Sequence, residues 1–287
     1  MSKVNATVAV ALAGMVLMTT APASAAQCNP KGGFPAFITE FKKEAAQNGV
    51  SPRGLAALDG VTLDQNVLAA DRKQGVFKQS FEQFSSRMIS RDRLTKGAKL
   101  MQQYAGQLKH IEQKYGVPGA VLVAIWGLET DYGVNQGKLN VVRSVATLAY
   151  DCRRSDKFQA ELTDALRIVD RGDMMSADMR GDWAGEIGQT QFLPSSYAKY
   201  AVSFDGRGKP NLVRNAPDVL ASTANYLKNH GWQRGKGWGP GEPNFDVIKE
   251  WNAAEVYAKT IALFADKLNA GHEEKAARPH PDHRATR

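Results

Sequence analysis

The sequence predicts a mainly α-helical fold with a small lobe of loop or β structure. Apolar residues recur at helical spacing along most of the chain, and strand signals are short and weak. Strands and helices do not alternate as they would in a doubly wound sheet. Val202–Val213, rich in glycine and polar residues, is the best candidate for a small hairpin or loop lobe.

The predicted helices follow one another with recognisable starts and stops. In chain order they are Phe34–Gln47, a helix opened by Ser51-Pro52, Leu94–Tyr115, a helix opened by Pro118, Asp156–Asp170, Pro217–Asn229 and Val256–Leu268. A serine before a proline is typical of a helix start, and a glycine just beyond the last apolar position is typical of a helix end. Asn252–Glu255 resembles a capping box before the last helix, and Gly271 is its expected stop.

Residues 1–25 are predicted to be a signal peptide. Lys3 precedes an apolar run from Val8 to Met18, and Ala21–Ala25 ends in an Ala-x-Ala cleavage signal. The run is too short for a permanent span, so a membrane anchor is the weaker alternative. We expect cleavage after Ala25, a periplasmic location and no integral membrane segment in the mature chain.

The length, periodicity and charge of the rest of the chain limit the architectures and partners that we expect. Residues 26–270 are long enough for one domain with a substantial core, and we expect a monomer. Gly271–Arg287 lacks periodicity, which predicts a disordered tail. The chain has 37 lysines and arginines against 29 acids, a net charge of +8. Because the basic residues are scattered and export is predicted, an acidic wall polymer or a membrane surface is a better partner than nucleic acid.

Cys28 and Cys152 are the two cysteines of the sequence. An exported protein meets an oxidising compartment, so we predict a Cys28–Cys152 disulfide that ties the new N-terminus to the body. Two alternatives stay open at this point. Cys28 is a candidate for lipidation, although the large Gln27 before it disfavours this, and both thiols are candidates for unpaired core residues.

Glu129 is the candidate catalytic acid. Ala120–Leu128 is apolar on every side, which predicts a helix buried all round, and Glu129 follows at its end. Burial raises the pKa of a carboxyl group and keeps it protonated near neutral pH, as glycoside cleavage requires. Taken alone, the composition favours the alternative of a surface glutamate or one paired with an arginine.

Three further segments carry candidate binding groups. Gly181–Tyr197 combines glycines, amides and aromatic rings, a mixture typical of sugar sites but also of ordinary loops. Asn225 and Tyr226 fall within a helix, where they either line a cleft or belong to the core. Arg153-Arg154 either holds the carboxylates of a wall peptide or forms a solvated charge pair.

Five motifs in one order make the pattern specific. They are Gly127–Gly133, Ala146–Tyr150 with Arg153-Arg154, Trp183–Gly185, Gly188–Ser195, and Ser222–Leu227 with Gly231-Trp232. In these motifs the chain resembles the lytic murein transglycosylases of the membrane-bound type B family. The resemblance extends from Phe34 to Leu268 and implies a lysozyme-like transglycosylase core with a helical N-terminal part.

The resemblance also implies an activity and a set of site residues. The activity is cleavage of peptidoglycan glycan strands at the MurNAc-GlcNAc β-1,4 bond without water, leaving 1,6-anhydro-MurNAc ends, with Glu129 as acid and base. Carried over position by position, the substrate contacts are Arg153, Arg154, Asp182, Gln191, Asn225, Tyr226 and Trp251. Asp182 stands where the family often has a serine that assists the glutamate, and Trp251 where it often has tyrosine.

No cofactor or metal is expected. Some relatives carry a calcium loop after the Gln-rich motif, but Ser203 and Arg207 are poor ligands at the matching positions, so we predict no bound calcium. Two other functions remain open. A muramidase-type hydrolase would need a second acid, for which Asp131 and Asp182 are the near candidates, and an inactive wall-binding scaffold would need none.

Overall fold

Helices make up most of the described chain, as the sequence predicts. The computed structural model describes residues 25–73 and 79–277. Its α-helices are α1 Gly33–Gln47, α2 Pro52–Leu55, α3 Gln65–Arg72, α4 Phe81–Met88, α5 Arg91–Gln103, α6 Ala105–Tyr115, α7 Gly119–Thr130, α8 Val141–Tyr150, α9 Ser155–Asp170, α10 Pro194–Tyr200, α11 Ala216–Asn229, α12 Phe245–Trp251 and α13 Glu255–Ala277. Two 3-10 turns, Ala56–Leu58 and Ser176–Asp178, and two short strands, β1 Leu139–Asn140 and β2 Arg180–Gly181, complete its regular structure.

The apolar helix α7 forms the axis of the fold. Every residue of α7 except Glu129 is buried, and the helix contacts α5, α6, α11 and α13. A helix without a polar face is stable only when neighbours cover it on all sides, which is the arrangement seen here. The prediction of a helix buried all round is confirmed, and Glu129 is the point at which this helix meets a cleft.

The stripe predicted as one helix over Leu94–Tyr115 is two helices, so that prediction is wrong in this respect. α5 and α6 are separated by Tyr104, whose backbone leaves the helical region with φ −103° and ψ 20°. The Tyr104 ring contacts Trp126 of α7 edge to face, with 6.0 Å between ring centroids. The spacing of apolar residues indicates which face of a helix is buried, but it does not indicate a single residue at which the helix is interrupted.

The end of α13 also differs from the prediction. The helix continues through Gly271 to Ala277, so the disordered tail expected from Gly271 is wrong for residues 271–277. Glycine within a helix costs only about 1 kcal/mol relative to alanine, and good helix formers follow it. At the other end, Asn252 does not form the expected capping box, because its Oδ1 accepts from the nearby Ala254 amide, 3.0 Å away. Residues 278–287 lie outside the described residues.

The small β element lies elsewhere than expected. β1 and β2 pair antiparallel, with Leu139 opposite Gly181 and Asn140 opposite Arg180. Val202–Val213 contains no strand and is a loop, in which the Asp218 carboxylate accepts from the amides of Phe204 and Asn211, at 2.8 and 2.9 Å. Hydrogen bonds that the loop amides donate to the Asp218 side chain of α11 thus take the place of the backbone bonds of a hairpin.

The predicted disulfide is confirmed. Cys28 and Cys152 are bonded, with their Cα atoms 5.2 Å apart. Beside the bridge, the Ala26 amide donates to Glu44 of α1 at 2.7 Å, and Gln159 of α9 donates to the Ala26 carbonyl at 2.8 Å. Residues 1–24 lie outside the described part of the chain, so the signal peptide stays a prediction. Among the residues described, no helix has the length and apolar character of a membrane span.

Candidate active site

Glu129 occupies the last turn of α7, directly before the chain turns away. Asp131 and Tyr132 both adopt left-handed backbone conformations, with φ 52° and 62°. The Asp131 carboxylate pairs with Arg93 at 3.4 Å and with Lys96 at 3.9 Å, and Lys96 also donates to the Asp131 carbonyl. Asp131 is therefore occupied by cations and is not a free second acid beside Glu129.

Two donors hold the Glu129 carboxyl group. Trp251 Nε1, at the end of α12, donates to Oε1 at 2.8 Å, and the hydroxyl of Tyr257 on α13 donates to the same carboxyl group. Burial raises the pKa of Glu129 to about 7, although both donors act to lower it. Because its pKa lies near neutral pH, Glu129 can deliver a proton and take one back, as a general acid and base must.

The Glu129 carboxyl opens into a cavity of about 200 Å³. The cavity is lined by Glu129, Glu186, Gln191, Phe192, Leu193, Ser196, Tyr226, Glu250, Trp251 and Asn252. A larger hollow of about 520 Å³ lies beside Lys114 and Lys209, but Glu129 does not line it. The smaller cavity is the candidate site because the acid and the aromatic side chains meet there.

The Gly-rich segment is attached to α7 by Gln189. Trp126 Nε1 donates to Gln189 Oε1 at 2.9 Å, and Thr130 Oγ1 donates to the Gln189 carbonyl at 2.5 Å. Gln189 is buried, so its amide serves the fold and not a ligand. These bonds fix the segment, and with it Gln191, relative to the last turn of α7.

Gln191 lines the cavity from a strained turn. Its backbone has φ 53°, and its Nε2 donates to the carbonyls of Gly188 and Gln136, at 2.7 and 3.3 Å. Gly188 itself has φ 74°, and a side chain there would clash with the Leu212 carbonyl. With both amide hydrogens used, the Gln191 side chain is fixed and its oxygen remains as an acceptor.

Tyr226 and Trp251 form an aromatic wall with Phe192. Their ring centroids lie 5.0 Å apart for Tyr226–Trp251 and 5.5 Å for Phe192–Trp251, both edge to face. The Tyr226 hydroxyl donates to the Glu250 carbonyl at 2.9 Å, and its ring stacks on His230. Such a wall offers rigid apolar faces with a polar rim, which suits the two-sided character of a sugar ring.

Arg153 and Arg154 are not in this cavity. Both guanidinium groups bind the buried Asp71 of α3, Arg153 through Nε at 2.8 Å and Arg154 through its terminal nitrogen. Burial raises the pKa of Asp71, but the two guanidinium groups outweigh it and hold this pKa below its usual range. The two arginines are not part of the cavity wall, and their bonds to Asp71 anchor α3 to the start of α9.

Asn225 and Asp182 also lie off the cavity lining. Asn225 Nδ2 donates to the Tyr200 carbonyl at 3.0 Å, which joins α11 to the end of α10. Asp182 is exposed, and its Oδ1 accepts from the Trp183 amide at 2.8 Å. Of the predicted contact residues, the structure brings Gln191, Tyr226 and Trp251 together with Glu129.

Two site residues were missed from the sequence. Glu186 lines the cavity, and the only available signal was an acid placed between Gly185 and Gly188 in a segment already suspected of binding sugar. Tyr257 donates to Glu129, and no local pattern distinguishes it from an ordinary core tyrosine of α13. In the described part of the chain, no group of three or more His, Cys, Asp or Glu side chains is arranged to hold a metal ion.

Sequence and structure comparisons place the chain among known proteins. The family model described as the transglycosylase SLT domain matches residues 33–241. Membrane-bound lytic murein transglycosylase B of Escherichia coli (strain K12) is 36% identical over 169 residues, covering 56% of this chain and 46% of that protein. The match thus spans less than half the length of this curated relative.

Solved structures share the fold. SltB3 from Pseudomonas aeruginosa, in complex with NAG-anhNAM-pentapeptide, is 31% identical with a TM-score of 0.78, covering 82% of this chain and 79% of that chain. Soluble lytic transglycosylase SltB1 from the same species is 26% identical with a TM-score of 0.76, covering 82% and 99%. The expected mainly helical, lysozyme-like core is confirmed. Since the family model matches most of its length, the chain belongs to the transglycosylase SLT domain family.

Proposed function

We propose that this protein is a lytic transglycosylase that cleaves peptidoglycan glycan strands at the MurNAc-GlcNAc β-1,4 bond. The observation that carries the proposal is the carboxyl group of Glu129, which has a pKa of about 7 and opens into a cavity with aromatic walls. Membership of the family supports it, as does the anhydro-sugar peptide bound to the related SltB3.

In the first step the protonated Glu129 delivers its proton to the glycosidic oxygen. The bond from that oxygen to C1 of the muramic residue breaks, and the departing sugar leaves with a hydroxyl at C4. Positive charge develops on the muramic ring and is shared with its own N-acetyl group. Protonation matters here because an alkoxide is a poor leaving group.

In the second step the ionised Glu129 acts as a base. It takes the proton from the C6 hydroxyl of the muramic residue while that oxygen attacks C1 and closes the 1,6-anhydro ring. Glu129 ends protonated, and no water is consumed. Hydrogen bonds from Trp251 and Tyr257 stabilise the ionised carboxylate between the two steps, because hydrogen bonding to the charged form favours it.

The predicted contact residues would act at different distances from this chemistry. Gln191, Tyr226 and Trp251 line the cavity and are proposed to contact the sugars. Arg153, Arg154, Asp182 and Asn225 lie off the lining, so a role for them requires contact with more distant parts of the strand or its stem peptides. Export to the periplasm, action as a monomer and peptidoglycan glycan strands as the partner complete the proposal. The disulfide is consistent with an oxidising compartment.

Product analysis tests the proposal directly. Purified peptidoglycan digested with the enzyme should release muropeptides with 1,6-anhydro-muramic ends by mass spectrometry. Reducing ends instead would establish the muramidase-type hydrolase. Glu129→Gln should reduce turnover by at least about 10³-fold while leaving the binding of glycan intact, as expected for loss of the proton donor. If Glu129→Gln clears wall suspensions at the wild-type rate, the acid has been misassigned.

A further inference from the structure

Glu186 is placed at the cavity by its backbone. Its carbonyl oxygen occupies the position where any side chain of Gly181 would begin, so that glycine permits the close approach. The next residue, Ile187, forms antiparallel bridges with Gly181 and Phe192 and is fully buried. Because successive side chains of extended backbone point to opposite sides, Glu186 faces away from the core and towards the cavity.

The surroundings of Glu186 and Glu129 differ in one respect. Both carboxyl groups line the same cavity of about 200 Å³. Glu129 accepts hydrogen bonds from Trp251 and Tyr257. Glu186 meets only the charges of its neighbours in the described residues and accepts no hydrogen bond from them. An acid without a partner in an active-site cavity is not explained by the stability of the fold.

The charged and titratable groups around Glu186 come from four elements. They are Asp182 of its own segment, Lys157 of α9, Glu129 of α7 and Tyr257 of α13. Lys157 is exposed, so water screens much of its charge. Glu250 of α12 also lines the cavity, but its side chain is exposed. The strongest unscreened neighbour of Glu186 is therefore Glu129.

Two carboxyl groups in one small cavity do not ionise independently. Burial, followed by the charge of Glu129, raises the pKa of Glu186 to about 7. Like charges repel in both directions, so a charge on Glu186 also disfavours a charge on Glu129, and states in which only one of the two is ionised are favoured. A glycosidic oxygen beside Glu129 can only accept a hydrogen bond, and so substrate favours the proton on Glu129 and the charge on Glu186.

We propose that Glu186 acts through Glu129, carrying the single negative charge of the pair when substrate is bound and thereby retaining on Glu129 the proton that is transferred. The inference rests on the proposed function, in which Glu129 is the acid. Glu186 is therefore a positioning residue, because its charge keeps the proton on Glu129. It extends the pH range over which Glu129 can act as an acid.

The pH dependence of turnover tests this role. Glu186→Gln keeps the size of the side chain but cannot carry the charge. With a soluble glycan oligomer at saturation, the alkaline limb of its kcat profile should move to lower pH by about half a unit or more, since coupled carboxyls interact by about one unit. Relative to wild type, the variant should lose at least about twofold more activity at pH 8 than at pH 6.

Glu250→Gln is the matched control, because it removes an exposed charge from the rim of the same cavity. Its alkaline limb should stay in place. The inference is overturned if Glu186→Gln lowers kcat equally at every pH, or if Glu250→Gln moves the limb as far. Thermal melting of each variant shows whether it is folded. Glu129→Gln distinguishes failure of the proposed function from failure of this inference. If Glu129→Gln is active, the proposed function is overturned. If Glu129→Gln is inactive and the pH profile of Glu186→Gln is not shifted, only the inference about Glu186 is overturned.

Discussion

Trp251 donates a hydrogen bond of 2.8 Å from its indole Nε1 to Oε1 of Glu129. The bond joins the end of α12 to the last turn of α7, two segments far apart in the sequence. Together with the hydroxyl of Tyr257, which donates to the same carboxyl group, it fixes the orientation of the acid. Trp251, which the family resemblance implied only as a sugar contact, is therefore also a direct partner of the acid.

Trp251→Phe should move the alkaline limb of the activity profile to higher pH. The indole hydrogen bond lowers the pKa of Glu129, so its removal raises that pKa and keeps the acid protonated further into the alkaline range. Turnover should fall about 10- to 100-fold, equivalent to losing a hydrogen bond to a charged group, because the ionised base is less stable. The measurement is kcat against pH on a soluble glycan oligomer.

Tyr226→Phe provides the comparison for that experiment. It alters the same aromatic wall, but the hydroxyl that it removes binds the Glu250 carbonyl and not Glu129. Its pH limb should coincide with that of the wild type. A Trp251→Phe limb that stays in place or moves to lower pH would contradict the role given to the indole.

Gly127→Ala should destabilise the protein and reduce activity. A Cβ at this position of α7 would lie 2.8 Å from the hydroxyl of Tyr132. The tyrosine is not free to yield, because its hydroxyl donates to the Arg93 carbonyl at 2.7 Å. Overpacking of this kind costs about 1–3 kcal/mol, and the strain lies two residues from Glu129. Denaturant unfolding and turnover should both report it.

Gly106→Ala is the matched control for Gly127→Ala. Gly106 lies in α6, and a Cβ there would contact nothing within 4 Å. Alanine should therefore stabilise the helix by about 0.5–1 kcal/mol, with activity retained. Equal effects of the two substitutions on stability would show that the Tyr132 contact does not limit the packing of α7.

Asp71→Asn should destabilise the fold by about 1–3 kcal/mol, because two arginines lose the carboxylate that they share. The pKa of Asp71 is lowered in the folded protein, so its contribution is complete above the unfolded value of about 4 and is lost as the pH falls through the lowered pKa. The stability difference between wild type and variant should thus shrink in acid. Asp246→Asn, at an exposed pair with Lys249, should change stability by less than about 1 kcal/mol at any pH.

The parts of the fold and site that could be predicted have local signals. An uninterrupted apolar segment predicts a buried helix. The acid at the end of that helix is shielded from water, which raises its pKa. The charge of Glu186 and the donor hydroxyl of Tyr257 have no such signal, because their role depends on how distant segments fold onto α7. Asp71 lies 82 residues before Arg153, so nothing near the arginines indicates that they are already paired.

The Cys28–Cys152 bond should contribute more to stability than any other single feature of the N-terminal segment. It joins residues 124 apart, and a loop of that length corresponds to roughly 4–5 kcal/mol in the chain-entropy model. The double variant Cys28→Ser/Cys152→Ser should lose about this much in denaturant unfolding. Wild type unfolded with a reductant should match the variant without one. A double variant as stable as the oxidised wild type would instead mean that the contacts of Ala26 with Glu44 and Gln159 hold the segment unaided.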